Sequence, residues 1–144
     1  MYRPDAGQSY LRVATQTVSP GQLVLMLYDG ALRFLERARL GFASDDPLEF
    51  NQTIHNNLVR AQEIISELNM ALNIEAGGEF ASTMRRLYDY LDRRLIESNR
   101  AKKEDGIIEV IGRLTVLRDA WAEMLRKNTA VTEEAGDARL CALG

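Results

Sequence analysis

Apolar residues recur along the chain at steps of three and four, the spacing that gathers them on one side of a helix, in four stretches separated by turn residues. The first, residues 18–39, opens on Ser19, Pro20 and Gln22. This is a capping box with proline at the first helical position, where its missing N–H costs nothing. Val18 and Leu23 stand where a hydrophobic staple closes over such a cap. Leu23, Met26, Leu27, Ala31, Phe34 and Ala38 then form one stripe, which Val24, Tyr28 and Leu35 widen. Leu25 and Leu32 fall off it, near the narrow polar edge of Asp29, Arg33 and Glu36. A helix apolar over this much of its circumference is either buried on a second side or keeps a groove for a partner.

A second helix starts at Asp46, Pro47 and Glu49, which repeat the cap, the proline and an early carboxylate. Its stripe of Phe50, Ile54, Leu58, Ala61, Ile65, Leu68 and Leu72 makes a heptad-like seam. It ends near Asn73, and Gly77-Gly78 breaks the chain. A third helix begins at about Glu79, with Phe80, Met84, Leu87, Tyr88, Leu91 and Leu95 inward. The fourth starts with Asp105 as cap and runs through Ile107, Val110, Leu114, Leu117, Trp121 and Met124, which places Trp121 in the core. Tyr90, Ile96, Ile108 and Val116 lie off these stripes.

Periodicity is lost after Lys127, which predicts a flexible tail over 128–144. Residues 1–17 lack a long period and predict an arm or short helix, whose Tyr2 and Tyr10 either fold back over exposed apolar surface or fray with the terminus. Helices of about 20 to 25 residues, each about 30 to 35 Å long, joined by short turns, predict an all-α, antiparallel, up-down-up-down four-helix bundle over residues 18–127.

Composition agrees with one domain: 144 residues, 46% hydrophobic and 27% charged, fit a soluble globular chain. A net charge of −3 argues against a general nucleic-acid binder, which needs a basic face for phosphates. The N-terminus has no apolar signal-like region, and no apolar run reaches transmembrane length, so the expectation is a cytoplasmic protein without membrane insertion. Cys141 is the single cysteine and cannot form an internal disulfide.

The chemistry that a bundle can host is missing from the sequence. A di-iron site needs paired Glu-x-x-His motifs, but His55 is the only histidine and Gln52 stands three residues before it. There is no Cys-x-x-Cys-His for haem attachment, no phosphate-cradling GxxxxGK[ST] loop, and no G-x-S-x-G elbow. The expectation is a protein without cofactor or metal that is not an enzyme.

The stretch S-P-G-Q-L-V-L-M-L-Y-D-G-A-L at residues 19–32 resembles the opening helix of the flagellar export chaperones that bind flagellin, the FliS family. Further similar motifs follow in order: N-x-x-I at 51–54, R-A-x-x-I-I-x-E-L at 60–68, G-G-E-x-A at 77–81, L-Y-D-Y at 87–90, R-R-L-I-x-x-N at 93–99 and L-R-x-A-W at 117–121. Tyr10 resembles the family's N-terminal tyrosine, while Val18 and Asn73 depart from its common residues. The likeness covers roughly residues 2–127.

The resemblance implies a cytoplasmic, nucleotide-independent chaperone. It would hold the disordered C-terminal segment of flagellin, prevent premature polymerisation and deliver flagellin to a component of the flagellar type III export gate. With it, the candidate client-binding residues are Tyr10 of the arm, Leu25, Tyr28, Asp29 and Leu32 of the first helix, and Tyr90 and Ile96 of the third. The alternative is a helical adaptor whose surplus apolar stripe mediates its own homodimer rather than holding a client.

If Tyr10 of the arm covers Leu25 and Leu32 in the free protein, removing residues 1–17 should raise client affinity, because the competing cover is gone. Calorimetry on the truncated chain checks this, and unchanged or weaker binding marks an arm that contacts the client directly.

Overall fold

The computed structural model of the chain describes residues 19–72 and 74–143, the side chains of 74–76 and 129–143 excepted. It is all-helical: α1 (Pro20–Gly41), α2 (Pro47–Met70), α3 (Ile74–Ala101) and α4 (Asp105–Leu143).

The helix starts follow the sequence signals. The Gln22 N–H donates to Ser19 Oγ at 3.2 Å, and the Leu48 N–H donates to Asp46 Oδ1 at 2.9 Å. Each bond satisfies one of the N–H groups that a helix start leaves without an internal partner. At α4 the first intrahelical bond runs from Ile108 N–H to the Glu104 carbonyl at 2.9 Å. Glu104 therefore occupies the cap position, and the expected cap, Asp105, is the first helical residue.

Gly78 breaks α3 near its start, with φ 55 and ψ −130, a left-handed backbone open to glycine at little cost. At the other end of α3, Lys102 takes φ 52 and the Lys103 N–H reaches back to the Ser98 carbonyl at 3.2 Å, closing the helix in a Schellman-like turn.

α4 runs on beyond its apolar stripe. Its helical backbone continues past Lys127, where the apolar stripe stops, to Leu143. Ala130, Ala135, Ala138 and Ala142 lie in this stretch, and their propensity favours a helix without an amphipathic pattern.

Each helix packs on two neighbours, α1 and α3 both lying against α2 and α4. Neighbours run antiparallel. On α1 and α4, Asp29 meets Arg118 while Gly21 meets Trp121. On α2 and α3, His55 meets Asn99 while Asn69 meets Asp89. The core lies mainly in the middle turns, where Leu27, Leu35, Ile54, Leu58, Ile65, Leu91, Leu95 and Leu114 are fully enclosed, and reaches Ile107 in the first turn of α4.

α1 and α2 pack most closely, because Ala31, Ala38 and Gly41 present little bulk; a Cβ on Gly41 would stand 3.0 Å from Thr53 Cγ2. Phe42 and Phe50 then meet edge to face, 5.4 Å between ring centres, and close that end.

Several residues assigned to the core are less enclosed than their stripes imply, three of them beside one another at one end of the bundle. Phe80 is 70% exposed, Met124 is 40% exposed, and Trp121 is half-buried. Their helical phase does point them toward the bundle, but the neighbouring helices place too few atoms opposite to cover them.

Gly106 marks the closest approach of α3 and α4. A Cβ there would overlap Ser98 Oγ and lie 2.7 Å from the Arg94 carbonyl oxygen. Gly106→Ala should therefore destabilise the fold by about 1–3 kcal/mol through overpacking. Gly112→Ala on the same helix meets open space and should instead gain up to about 1 kcal/mol of helix propensity. Denaturant midpoints of the two variants check the pair, and a matching loss at both would remove close packing as the cause.

Candidate functional site: an apolar cavity and its adjoining groove

Where the core ends, all four helices line a cavity of about 360 Å3. α1 supplies Val24 and Tyr28, the end of α2 and the turn after it supply Leu68, Ala71 and Leu72, and α3 supplies Phe80, Met84 and Tyr88. α4 completes the wall with Leu117, Ala120, Trp121 and Met124. The lining is almost wholly apolar, and Phe80 and Met124, with the smaller Ala71 and Ala120, form its exposed parts.

Its polar groups are already engaged. The hydroxyls of Tyr28 and Tyr88, both buried, lie 2.5 Å apart across the α1–α3 diagonal, either one donating. Burial pushes Tyr28 above the ordinary tyrosine value of 10.0, outweighing the opposite effect of its bond to Tyr88. Burial also raises Tyr88, reinforced by Tyr28 beside it. Both phenols are thus neutral at physiological pH, and the cavity carries no charge of its own.

The indole N–H of Trp121 donates to the Gly21 carbonyl at 2.8 Å, which fixes the ring as a wall. α4 sits directly on the first turn of α1: a Cβ on Gly21 would lie 2.5 Å from Leu125 Cδ2. Nearby, Arg118 Nε donates to Asp29 Oδ1 at 2.8 Å and ties the same helices together.

A second, shallower groove of about 520 Å3 runs between α3 and α4. It is lined by Leu87, Ile108, Glu109, Gly112, Arg113, Val116 and Leu117. Leu117 belongs to both depressions and joins them. Ile108 and Val116 are 47% and 68% exposed, and the missing side chain of Gly112 leaves the space between them open.

Glu109 is the electrostatic centre of this groove. It accepts from Tyr90 Oη at 2.6 Å, Arg94 Nε at 2.8 Å and Arg113 Nε at 2.9 Å. Arg94 also meets Glu97 at 2.8 Å, and the Arg113 guanidinium lies 5.5 Å from the centre of the Tyr90 ring. The Tyr90 hydroxyl, then the two arginines, hold the Glu109 carboxyl down to about 2. The same hydrogen bond raises Tyr90.

The sequence candidates do not gather at one place. Tyr28 lies in the cavity wall. Asp29 is engaged by Arg118 beside it. Leu25 and Leu32 are half-buried, Leu32 packing against the core, and neither lines the cavity. Tyr90 borders the α3–α4 groove through Glu109. Ile96 is 41% exposed on another face, in a shallow depression with Gln62, Asn99 and Arg100. Tyr10 lies outside the described residues.

Sequence reasoning passed over most of the cavity, because Leu68, Met84, Tyr88, Leu117 and Trp121 all stand on core-facing stripes. One signal was available: Phe80 follows Gly78 by two residues, at a helix start where less of a neighbour remains to cover it.

Among the described residues no helix is long and apolar enough to cross a membrane, and no group of three or more His, Cys, Asp or Glu is placed to hold a metal ion.

A family model described as "Flagellar protein FliS" matches residues 3–128. The chain is 39% identical over 119 residues to the flagellar secretion chaperone FliS of Bacillus subtilis, covering 82% of this chain and 84% of that one. It is 36% identical over 132 residues to its namesake in Salmonella typhimurium, covering 88% and 95%. With the Escherichia coli protein of that name the identity is 32% over 130 residues, covering 87% and 93%.

Glu109 sets a pH dependence with a definite sign. A carboxyl held near 2 in the folded chain stabilises the fold above its ordinary value of 4.5, and that contribution is lost as pH falls from there toward 2. Thermal midpoints of the parent and Glu109→Gln should therefore differ near neutral pH and converge as pH approaches 2. A gap that stays constant across this range would show that the carboxylate's charge is not what Glu109 contributes.

Proposed function

Because the chain belongs to the FliS family, we propose that it is a cytoplasmic export chaperone that holds the disordered C-terminal segment of flagellin. In this reading it prevents premature polymerisation and hands flagellin to a gate component of the flagellar type III export apparatus. The supporting observation is the uncharged apolar cavity continuing into the α3–α4 groove, with Phe80, Ile108 and Val116 left exposed on a bundle whose middle is fully packed.

A disordered segment that becomes helical on binding presents apolar residues at steps of three and four, and such a ridge fits a groove between helices. Ordering the segment costs conformational entropy, so extended apolar contact is needed to offset it. A cavity joined to a groove through Leu117 offers that length. Large side chains of the client would seat against Tyr28, Phe80 and Trp121, while Tyr90 and Arg113, held by Glu109, would border the client's polar edge. Leu25, Asp29, Leu32 and Ile96 extend the proposed contact surface over neighbouring faces, and Tyr10 of the arm meets either the client or the surface the client displaces it from. A segment held in this way has its own apolar faces covered and cannot pack on further flagellin. Release then follows from competition for the same segment and needs no nucleotide chemistry in this chain.

Phe80→Asp tests the reading, because Phe80 is 70% exposed and its replacement should change stability by no more than about 0.5 kcal/mol. Affinity for a flagellin C-terminal segment should fall tenfold or more by calorimetry, while the parent shows the negative heat-capacity change of apolar burial. Equal binding by the parent to flagellin lacking its C-terminal segment would refute the client assignment. Concentration-dependent self-association with no flagellin binding would favour the adaptor alternative.

A further inference from the structure

Two of the chain's methionines, Met84 and Met124, stand in the cavity wall. They differ in access: Met84 is half-buried, whereas Met124 is 40% exposed. Met70 is more open still, at 65%, but lies outside the lining. The Met124 side chain is therefore both open to solvent and part of the surface that an apolar ligand must cover.

We propose that Met124 is a peroxide-sensitive modification site whose oxidation to the sulfoxide closes the cavity to apolar ligands. It rests on the cavity being the client's seat, as proposed above. In the reaction the sulfur lone pair attacks one oxygen of hydrogen peroxide, the S–O bond forms and the O–O bond breaks. The transferred oxygen gives its proton to the departing one, which leaves as water. Sulfur is oxidised by two electrons and the peroxide reduced by two, so no further reactant is required. Methionine sulfoxide reductases reverse the change, which makes it a switch rather than a lesion.

The effect on binding follows from the donors in the wall. A sulfoxide oxygen is a strong acceptor, well hydrated while the cavity is open. When an apolar side chain fills the cavity that water leaves, and the lining keeps at most one uncommitted donor, the proton of whichever buried tyrosine accepts in the Tyr28–Tyr88 pair. The hydroxyls of Tyr28 and Tyr88 bond to each other, and the Trp121 N–H is held by the Gly21 carbonyl. An acceptor covered without a partner weakens association by about tenfold to a hundredfold. The free protein bears little of this cost, because Met124 keeps solvent contact there. Oxidation therefore acts on the ligand-bound state and spares the fold. Met70, more exposed than Met124 and outside the wall, provides the internal control.

The test uses the full chain, graded hydrogen peroxide and mass spectrometry to score each methionine. Two probes report the cavity: a flagellin C-terminal segment by calorimetry and the apolar dye anilinonaphthalene sulfonate by fluorescence. Oxidation at Met124 should weaken both probes about tenfold or more with helicity unchanged, and a methionine sulfoxide reductase should restore them. Met124→Leu, which keeps the volume but cannot be oxidised, should give the same affinity for each probe after peroxide as it gave before it. Met124→Gln should bind weakly without any oxidant, and Met70→Leu should behave as the parent.

Unchanged dye binding by parent protein fully oxidised at Met124, or equal loss in Met124→Leu, would overturn the proposal. If the reduced parent fails to bind the flagellin segment, the chaperone reading fails separately, and the dye still decides the role of Met124.

Discussion

Enclosure of the middle turns of all four helices around Leu27, Leu35, Ile54, Leu58, Leu91, Leu95 and Leu114 is the constraint on which the rest of the molecule depends. Those side chains leave water almost completely, and their burial is the main favourable contribution to folding. Small residues on α1 bring α2 close, and Gly106 lets α4 approach α3 over the buried Ser98. Near that closely packed region the helices have no freedom to spread. At the opposite end the chain is interrupted at Gly78, Leu72 ends the α2 stripe, and the same four helices line the cavity. The cavity is the consequence of a core that is complete in its middle and unfilled at one end.

An unfilled apolar cavity is costly unless its walls are held apart. Here the walls are pinned from behind. Trp121 is tied to the Gly21 carbonyl, Arg118 to Asp29, and Tyr28 to Tyr88 across the bundle. The hydroxyl pair is buried and bonded within the wall, so the surface offered to a ligand is mainly apolar. Along the α3–α4 groove the logic differs, because Glu109 collects Tyr90, Arg94 and Arg113 into one half-exposed network. Surface ion pairs of this kind contribute little stability singly. Their value here is geometric, since they fix Tyr90, Arg94 and Arg113 around Glu109 at the border of the groove.

Several features are determined by the sequence alone because they are local. Ser19 with Pro20, and Asp46 with Pro47, start helices through bonds spanning a few residues, and both caps form as their chemistry dictates. Gly78 breaks the helix because few other residues tolerate its backbone angles. Steps of three and four select Ile54, Leu58, Leu91 and Leu114 for the core, because the period of one helix fixes the direction in which each side chain points. The motif series from residue 19 to residue 121 carried the family for the same reason: it is a property of order along the chain.

Only the tertiary structure decided which inward-pointing residues are covered. Phe80, Trp121 and Met124 have the phase of core residues, yet coverage depends on what other helices place opposite, and one helix's period holds no information about that. The partnership of Tyr28 with Tyr88, sixty residues apart, and the three donors around Glu109 arise from the same source. Leu25 and Leu32 show the converse, since their off-stripe phase singled them out while the neighbouring helices left them half-buried, away from the cavity. Direction is a local property written in the period of each helix, whereas enclosure is a property of the assembled bundle.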